Sequence, residues 1–123
     1  MSGYSDELAV VASGIESEMG VKTPDMTALV SNYPNPFNSQ TVIIYTVANL
    51  GPIPAQINIE IYDIMGRNVK TLVDDRKEMG EHRIIWNGKD DSSLDCPSGV
   101  YFARITQWNV EYLSNTMKLM LMK

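Results

Sequence analysis

One cysteine and one histidine are all that this 123-residue chain offers of the side chains that most often carry metals, disulfides and nucleophilic chemistry. Cys96 has no partner for an intrachain disulfide, and a lone thiol with a lone imidazole does not make a zinc site, so stability has to come from packing. Cys96 by itself fixes no redox compartment. Positive charge is also short: Lys and Arg number 10 against 15 Asp and Glu, a formal net charge of −5. Phosphate backbones and anionic lipid surfaces repel such a chain unless a basic patch dominates locally, and no such patch is visible, so nucleic acid is not an expected partner. No apolar run is long enough to cross a bilayer, and no basic start leads into an apolar stretch of signal-peptide type. With Met1-Ser2-Gly3 in front, the sequence reads as a piece of something longer.

What is present is an ordinary globular balance, 44% hydrophobic and 20% charged, in a length suited to one domain. The clearest pattern lies between Arg83 and Ile105. His82, Ile84 and Trp86 share one face of a strand, and Tyr101, Ala103 and Ile105 share one face of another. Between them runs a turn-rich acidic loop bracketed by Asn87-Gly88 and Ser98-Gly99, glycines placed where the chain must reverse. Residues 56–64 alternate as cleanly, with Ile57, Ile59 and Ile61 inward and Asn58, Glu60 and Tyr62 outward. Residues 41–47 are branched and aromatic, with Ile43, Tyr45 and Val47 as the inward set. Gly66 marks a hairpin turn, after which either Val69, Thr71 and Val73 or Lys70 and Leu72 continue the return strand. Pro34 and Pro36 forbid a central strand nearby, which leaves an edge strand through Leu29 and Tyr33 and then a polyproline-like passage that seats Phe37 against the core. Residues 112–123 close the sheet with Leu113, Met117, Leu119 and Leu121 on a common face.

These strands, punctuated by turn signals roughly every 8–12 residues, predict an all-β fold: an antiparallel sandwich of about seven strands. Ahead of it, Leu8, Val11, Ala12, Ile15 and Met19 recur at helical spacing, interrupted by Gly14, and predict a short N-terminal helix. Residues 1–28 are therefore assigned to a linker or peripheral helix left by a preceding region, with a partner-binding helix as the alternative, and residues 29–123 to the sandwich.

Candidate sites carry little chemistry. Asp90, Asp91 and Asp95 could offer oxygens to a hard cation, but they lack the Asp-x-Asp-x-Asp-Gly pattern with its closing Glu, and a solvated turn is the stronger reading. His82 beside Glu81 has no nucleophile or oxyanion device, so a strand histidine with a satisfied hydrogen bond is expected. Trp86 and Tyr101 face the core, which leaves Tyr62 and Trp108 as the outward aromatics, too few for a sugar-binding strip. Cys96, before Pro97, lacks an activating base. The run Met117 to Lys123 would be a pairing hazard at a sheet edge, and Lys118 and Lys123 suit the role of guards.

Five blocks in order resemble a known family: Tyr33-Pro34-Asn35-Pro36-Phe37-Asn38, Ile61-Tyr62-Asp63 with Gly66-Arg67, Trp86-Asn87-Gly88 with Asp90, Ser98-Gly99-Val100-Tyr101, and the closing Lys118 to Lys123. They are similar to the C-terminal sorting domain of cargo of the type IX (Por) secretion system, whose immunoglobulin-like fold is similar to that of the Ig-like domain of flagellar hook-capping proteins. The resemblance covers residues 29–123. It implies an immunoglobulin-like module without catalytic residues or cofactors, attached to a preceding domain of the same protein. It further implies recognition by outer-membrane secretion machinery and a secreted or cell-surface destination reached through the periplasm. Gly99 and Tyr101 fall in the family's glycine-aromatic block and Lys118 and Lys123 in its basic closing segment, which makes these four the expected recognition residues. Ser39 stands where the family commonly has Pro and Met117 where a basic residue is common, a weakening of the terminal positive charge. Two other classes stay open from the residues alone: an accessory carbohydrate-binding or adhesive sandwich using Tyr62 and Trp108, and a structural cap that assembles with itself or with a filament.

Overall fold

The computed structural model describes residues 26–49, 51, 53–108 and 114–123. The expected N-terminal helix, and Leu113 of the expected last face, lie outside the described residues. Seven strands follow in order: β1 (Ala28–Tyr33), β2 (Thr41–Val47), β3 (Ala55–Tyr62), β4 (Asn68–Lys77), β5 (Gly80–Trp86), β6 (Gly99–Gln107) and β7 (Ser114–Leu121). They form two antiparallel sheets, β1-β2-β5 and β4-β3-β6-β7.

Strict period-two patterning decides the three central strands. In β2, β3 and β6 every second side chain is buried, and Ile43, Tyr45, Val47, Ile57, Ile59, Ile61, Tyr101, Ala103 and Ile105 turn inward as expected. Trp86, Leu119 and Leu121 complete the dry layer between the sheets. In the constant-type immunoglobulin layout the fourth strand lies beside the fifth. Here β4 pairs with β3 instead, which gives three strands against four.

Two expectations fail in register, and bulges explain both. In β1 the pairing slips between Leu29 and Ser31, so parity inverts. Leu29 is buried, but Asn32 takes the next inward place and Tyr33 is 76% exposed. In β4 the pairing jumps from Val73 to Thr71 and again from Lys70 to Asn68, which leaves Leu72 and Val69 as extra residues, both packed against the core. Neither of the two alternations read from the sequence is therefore continuous. The passage after β1 is a series of bends with cis peptides at Tyr33-Pro34 and Asn35-Pro36, not a polyproline-like run. It nonetheless seats Phe37 in the core, 2% exposed.

That passage covers an edge. Phe37 N donates to Met120 O (2.9 Å) and Met122 N to Phe37 O (2.8 Å), a parallel bridge along the end of β7. Asn35 Oδ1 accepts from Met120 N. Farther back, Asn115 Oδ1 accepts from Leu29 N. The free edge of β7 thus has donors and acceptors answered from the start of the domain, a protection beyond the charge of Lys118 and Lys123. The folded unit also takes in Thr27 and Ala28, two residues ahead of the expected boundary: the buried Thr27 hydroxyl bonds Gln107 and accepts from Ala48 N.

Candidate functional site

At one end of the sandwich an open cleft of about 440 Å³ lies between the β3-β4 turn and the loop joining β5 to β6. Asp63 builds the first wall. Its backbone exchanges bonds with Arg67 and Gly66, its Oδ1 accepts from Met65 N and Arg67 N, and its Oδ2 meets Arg67 Nε at 2.9 Å. Gly66 sits at φ 84°, a conformation that residues with a Cβ resist. With the Asp63 backbone and carboxylate holding the turn closed, Ile64 and Met65 are left at the tip, 70% and 76% exposed, on the cleft's rim.

The second wall is an organised acidic loop. Trp86 Nε1 donates to Lys89 O (2.9 Å), and Cys96 N donates to Gly88 O. Lys89 and Asp95 form a bridge, and Asp90 Oδ1 caps the tip by accepting from Ser92 N and Leu94 N. Gly88 at φ 73° lets this narrow turn begin directly over Phe37 and Leu121. Asp91 N donates to Val69 O while its Oδ1 accepts from Thr71 N, so the loop also covers the first part of the β4 edge.

The three carboxylates considered for a cation are each directed elsewhere. Asp90 caps its own loop, Asp91 serves β4 and lies 3.7 Å from Lys70, and Asp95 pairs with Lys89 (2.8 Å) and Lys123 (3.5 Å). Among the described residues no three His, Cys, Asp or Glu are placed to hold a metal ion. Cys96 lies at the base of the cleft, where burial first and the Asp90 charge second push its thiol pKa up and suppress the thiolate. His82 Nε2 donates to Glu78 O (2.7 Å), and the ring stacks on Tyr45, centroids 5.3 Å apart.

Of the four expected recognition residues, three come together. Gly99 and Tyr101 line the cleft, and Lys123 reaches its mouth through Asp95, its own N donating to Ser98 Oγ. Tyr101 is buried, and its hydroxyl donates to Pro97 O at 2.6 Å, four residues upstream, the tyrosine corner found at the start of the sixth strand in immunoglobulin-like sandwiches. Lys118 stands apart on the outer face of β7, opposite Phe102. Asp63, Ile64, Met65 and Ser98 were not anticipated; the available signal was a pair of large apolar residues at a turn where polar ones are usual.

The outward aromatics do not form one strip. Trp108 donates from its indole to Asn58 (2.7 Å) and Tyr62 from its hydroxyl to Glu60 (2.8 Å). Residues 58 and 62 of β3 are about 13 Å apart at the rise of a strand.

Two carboxylates give this end a pH dependence. Hydrogen bonds from the Arg67 backbone, and then from its side chain, hold Asp63 below the usual range, and a hydrogen bond from Lys89 with the charge of Lys123 does the same for Asp95. A carboxylate whose folded pKa is depressed contributes stability in full above its unfolded value, near 4, and loses it as pH falls through the folded one. The urea midpoint is expected to fall between about pH 5 and pH 2, and an Asp63→Asn/Asp95→Asn chain should show a shallower fall. Parallel pH profiles of the two chains would exclude these residues as its source.

An antiparallel sandwich with a built cleft at one end is the class that fold and site define. Residues 31–120 match the family described as the secretion system C-terminal sorting domain, and the chain belongs to that family. No curated protein matches the chain. The family is that of type IX secretion, a targeting module that interacts with a secretion machinery, and it marks a secreted or cell-surface protein. Most of the blocks that carried the resemblance converge at this end. Phe37 packs on Trp86 (centroids 5.5 Å), Trp86 on Tyr101 edge-on (5.3 Å), and Gly88 over Phe37 and Leu121.

Proposed function

We propose that the domain has no chemistry of its own and directs a larger exported protein, attached on its upstream side, from the periplasm across the outer membrane. The surface offered to the secretion machinery is the cleft end: Gly99 and Lys123 at the opening, Ile64 and Met65 on the rim, Tyr101 supporting the floor, with Lys118 on the adjoining sheet face. The family match over residues 31–120 carries this reading. The cleft supports it, since exposed apolar side chains on a rigid turn beside paired charges suit protein contact better than substrate conversion.

The test is to fuse the 123-residue chain behind a reporter directed to the periplasm of a type IX-competent host. The reporter should appear outside the cell; a folded fusion retained in the periplasm would overturn the proposal. Lys123→Glu refines it. Its ion pair with Asp95 is solvent-exposed, so stability should change little, while export falls. Export equal to that of the unmodified fusion would remove Lys123 from the recognition set.

A further inference from the structure

At the cleft β6 outruns its neighbour. β3 and β6 pair from Ile57 opposite Gln107 to Tyr62 opposite Phe102, and there β3 leaves the sheet. Its pairing with β4 slips between Ile61 and Tyr62, and the chain folds back through the turn from Asp63 to Arg67. Gly99, Val100 and Tyr101 of β6 are consequently paired on the β7 side only. Alternation along the ladder gives the direction of their backbone groups. Met120, opposite Val100, donates from N to Asn35 Oδ1 and accepts at O from Phe37 N, both away from β6. Val100 and Met120 therefore form a non-hydrogen-bonded pair, and Val100 turns its own N–H and C=O to the other side, into the place that β3 has vacated. The far end of β6 agrees in parity, since Trp108 N donates to Gln56 O of β3. Among the described residues neither backbone group of Val100 has a partner.

These two groups open on the cleft, which Val100 lines together with Gly99. A residue of an extended chain supplies one donor and one acceptor on the same side, the complement of what Val100 presents. Three residues of strand are about 10 Å long, so the slot takes a short segment and no more. Gly99 shares the inward parity of Tyr101 and Ala103, and a Cβ built on it would meet no atom within 4 Å, so the space above it is open. Ile64, Met65, Cys96, Pro97 and Tyr101 give that space an apolar lining. Its volume of about 440 Å³ lies in the range of about 300–1,000 Å³ usual for ligand sites. The slot also differs from the outer edges of the sheets: the Asp63 turn and the acidic loop wall it on two sides, so a single narrow segment can enter where a whole sheet edge cannot.

We propose that the cleft binds an extended peptide segment by strand addition: the segment continues the line of β3, exchanges both backbone hydrogen bonds with Val100 and lodges an apolar side chain over Gly99. The inference rests on the reading that this end meets the secretion machinery, and makes the segment a stretch of that machinery. The probe is a capped pentapeptide of alternating threonine and isoleucine, titrated into the isotope-labelled 123-residue chain and followed by amide NMR. Its twin, N-methylated at every backbone amide, keeps the side chains and loses the donors. With the first peptide the Val100 amide should move downfield and exchange more slowly, with smaller changes confined to residues 63–67 and 95–101; the twin should leave Val100 unchanged. Val100→Pro removes the donor while sparing the bonds to β7, and should abolish the response at Gly99 and Tyr101. If that variant does not fold, Ile64→Asp/Met65→Asp on the exposed rim decides instead: binding weakened about tenfold supports the proposal, and undiminished binding refutes it. No response, an equal response to the methylated twin, or changes centred on β5 or on the far end of β4 would also overturn it. Each of these results leaves the export reading standing, which falls only if the unmodified fusion stays in the periplasm.

Discussion

Trp86→Ala is expected to remove about 3–5 kcal/mol of stability, a large part of the roughly 5–15 kcal/mol that a domain of this size holds in total. The indole is fully buried between Phe37 and Tyr101, so truncation leaves a cavity bounded by two rings that the backbone holds apart. It also removes the donor to Lys89 O, one of the contacts that tie the acidic loop to the rest of the domain. The loss should therefore be measurable twice: as a lower midpoint in urea unfolding, and as faster amide exchange in residues 88–96 under native conditions. An unfolding free energy within about 1 kcal/mol of the unmodified chain's would mean that the aromatic cluster is not what holds this end together.

Phe37→Ala is expected to cost a similar amount, about 3–5 kcal/mol, and to bring a second effect that Trp86→Ala does not. The ring, 2% exposed, anchors the backbone that hydrogen-bonds Met120 and Met122. Without it, the cover loosens from β7, and a strand reading Met-Lys-Leu-Met-Leu presents unpaired backbone groups. Sedimentation should then show association that grows with concentration at urea levels where the chain is still folded. A destabilised but strictly monomeric variant would assign protection of the edge to Lys118 and Lys123 instead.

Sequence patterning made the centre of the fold legible because β2, β3, β5 and β6 each keep one unbroken alternation between two sheets. It misled where a single inserted residue changed the parity. Tyr33 looked like the partner of Leu29, and the bulge between them turned it outward. In β4 the two candidate alternations were both partly right, because Leu72 and Val69 are the extra residues and still reach the core. The cover of β7 by Asn35 and Phe37 joins positions far apart in the chain, and nothing local in Pro-Asn-Pro-Phe specifies the strand it will meet. The family's blocks name Gly99 and Tyr101 in one segment and Lys118 and Lys123 in another; only the fold places Gly99, Tyr101 and Lys123 at one cleft and Lys118 away from it. Their distinct situations, a lining position, a buried corner and an exposed ion pair, come from tertiary packing that a motif does not encode. Asp63, Asp90 and Asp91 read as ordinary turn formers, which they are, but the turns they form build both walls of the cleft and cover part of β4.

The parallel run of β1 and its extension beside β7 also has a mechanical meaning. Tension applied between Met26 and Lys123 would pull these neighbouring segments lengthwise past each other, so the bonds at Asn115, Met120 and Met122 would bear load together and could not open one at a time like a zip.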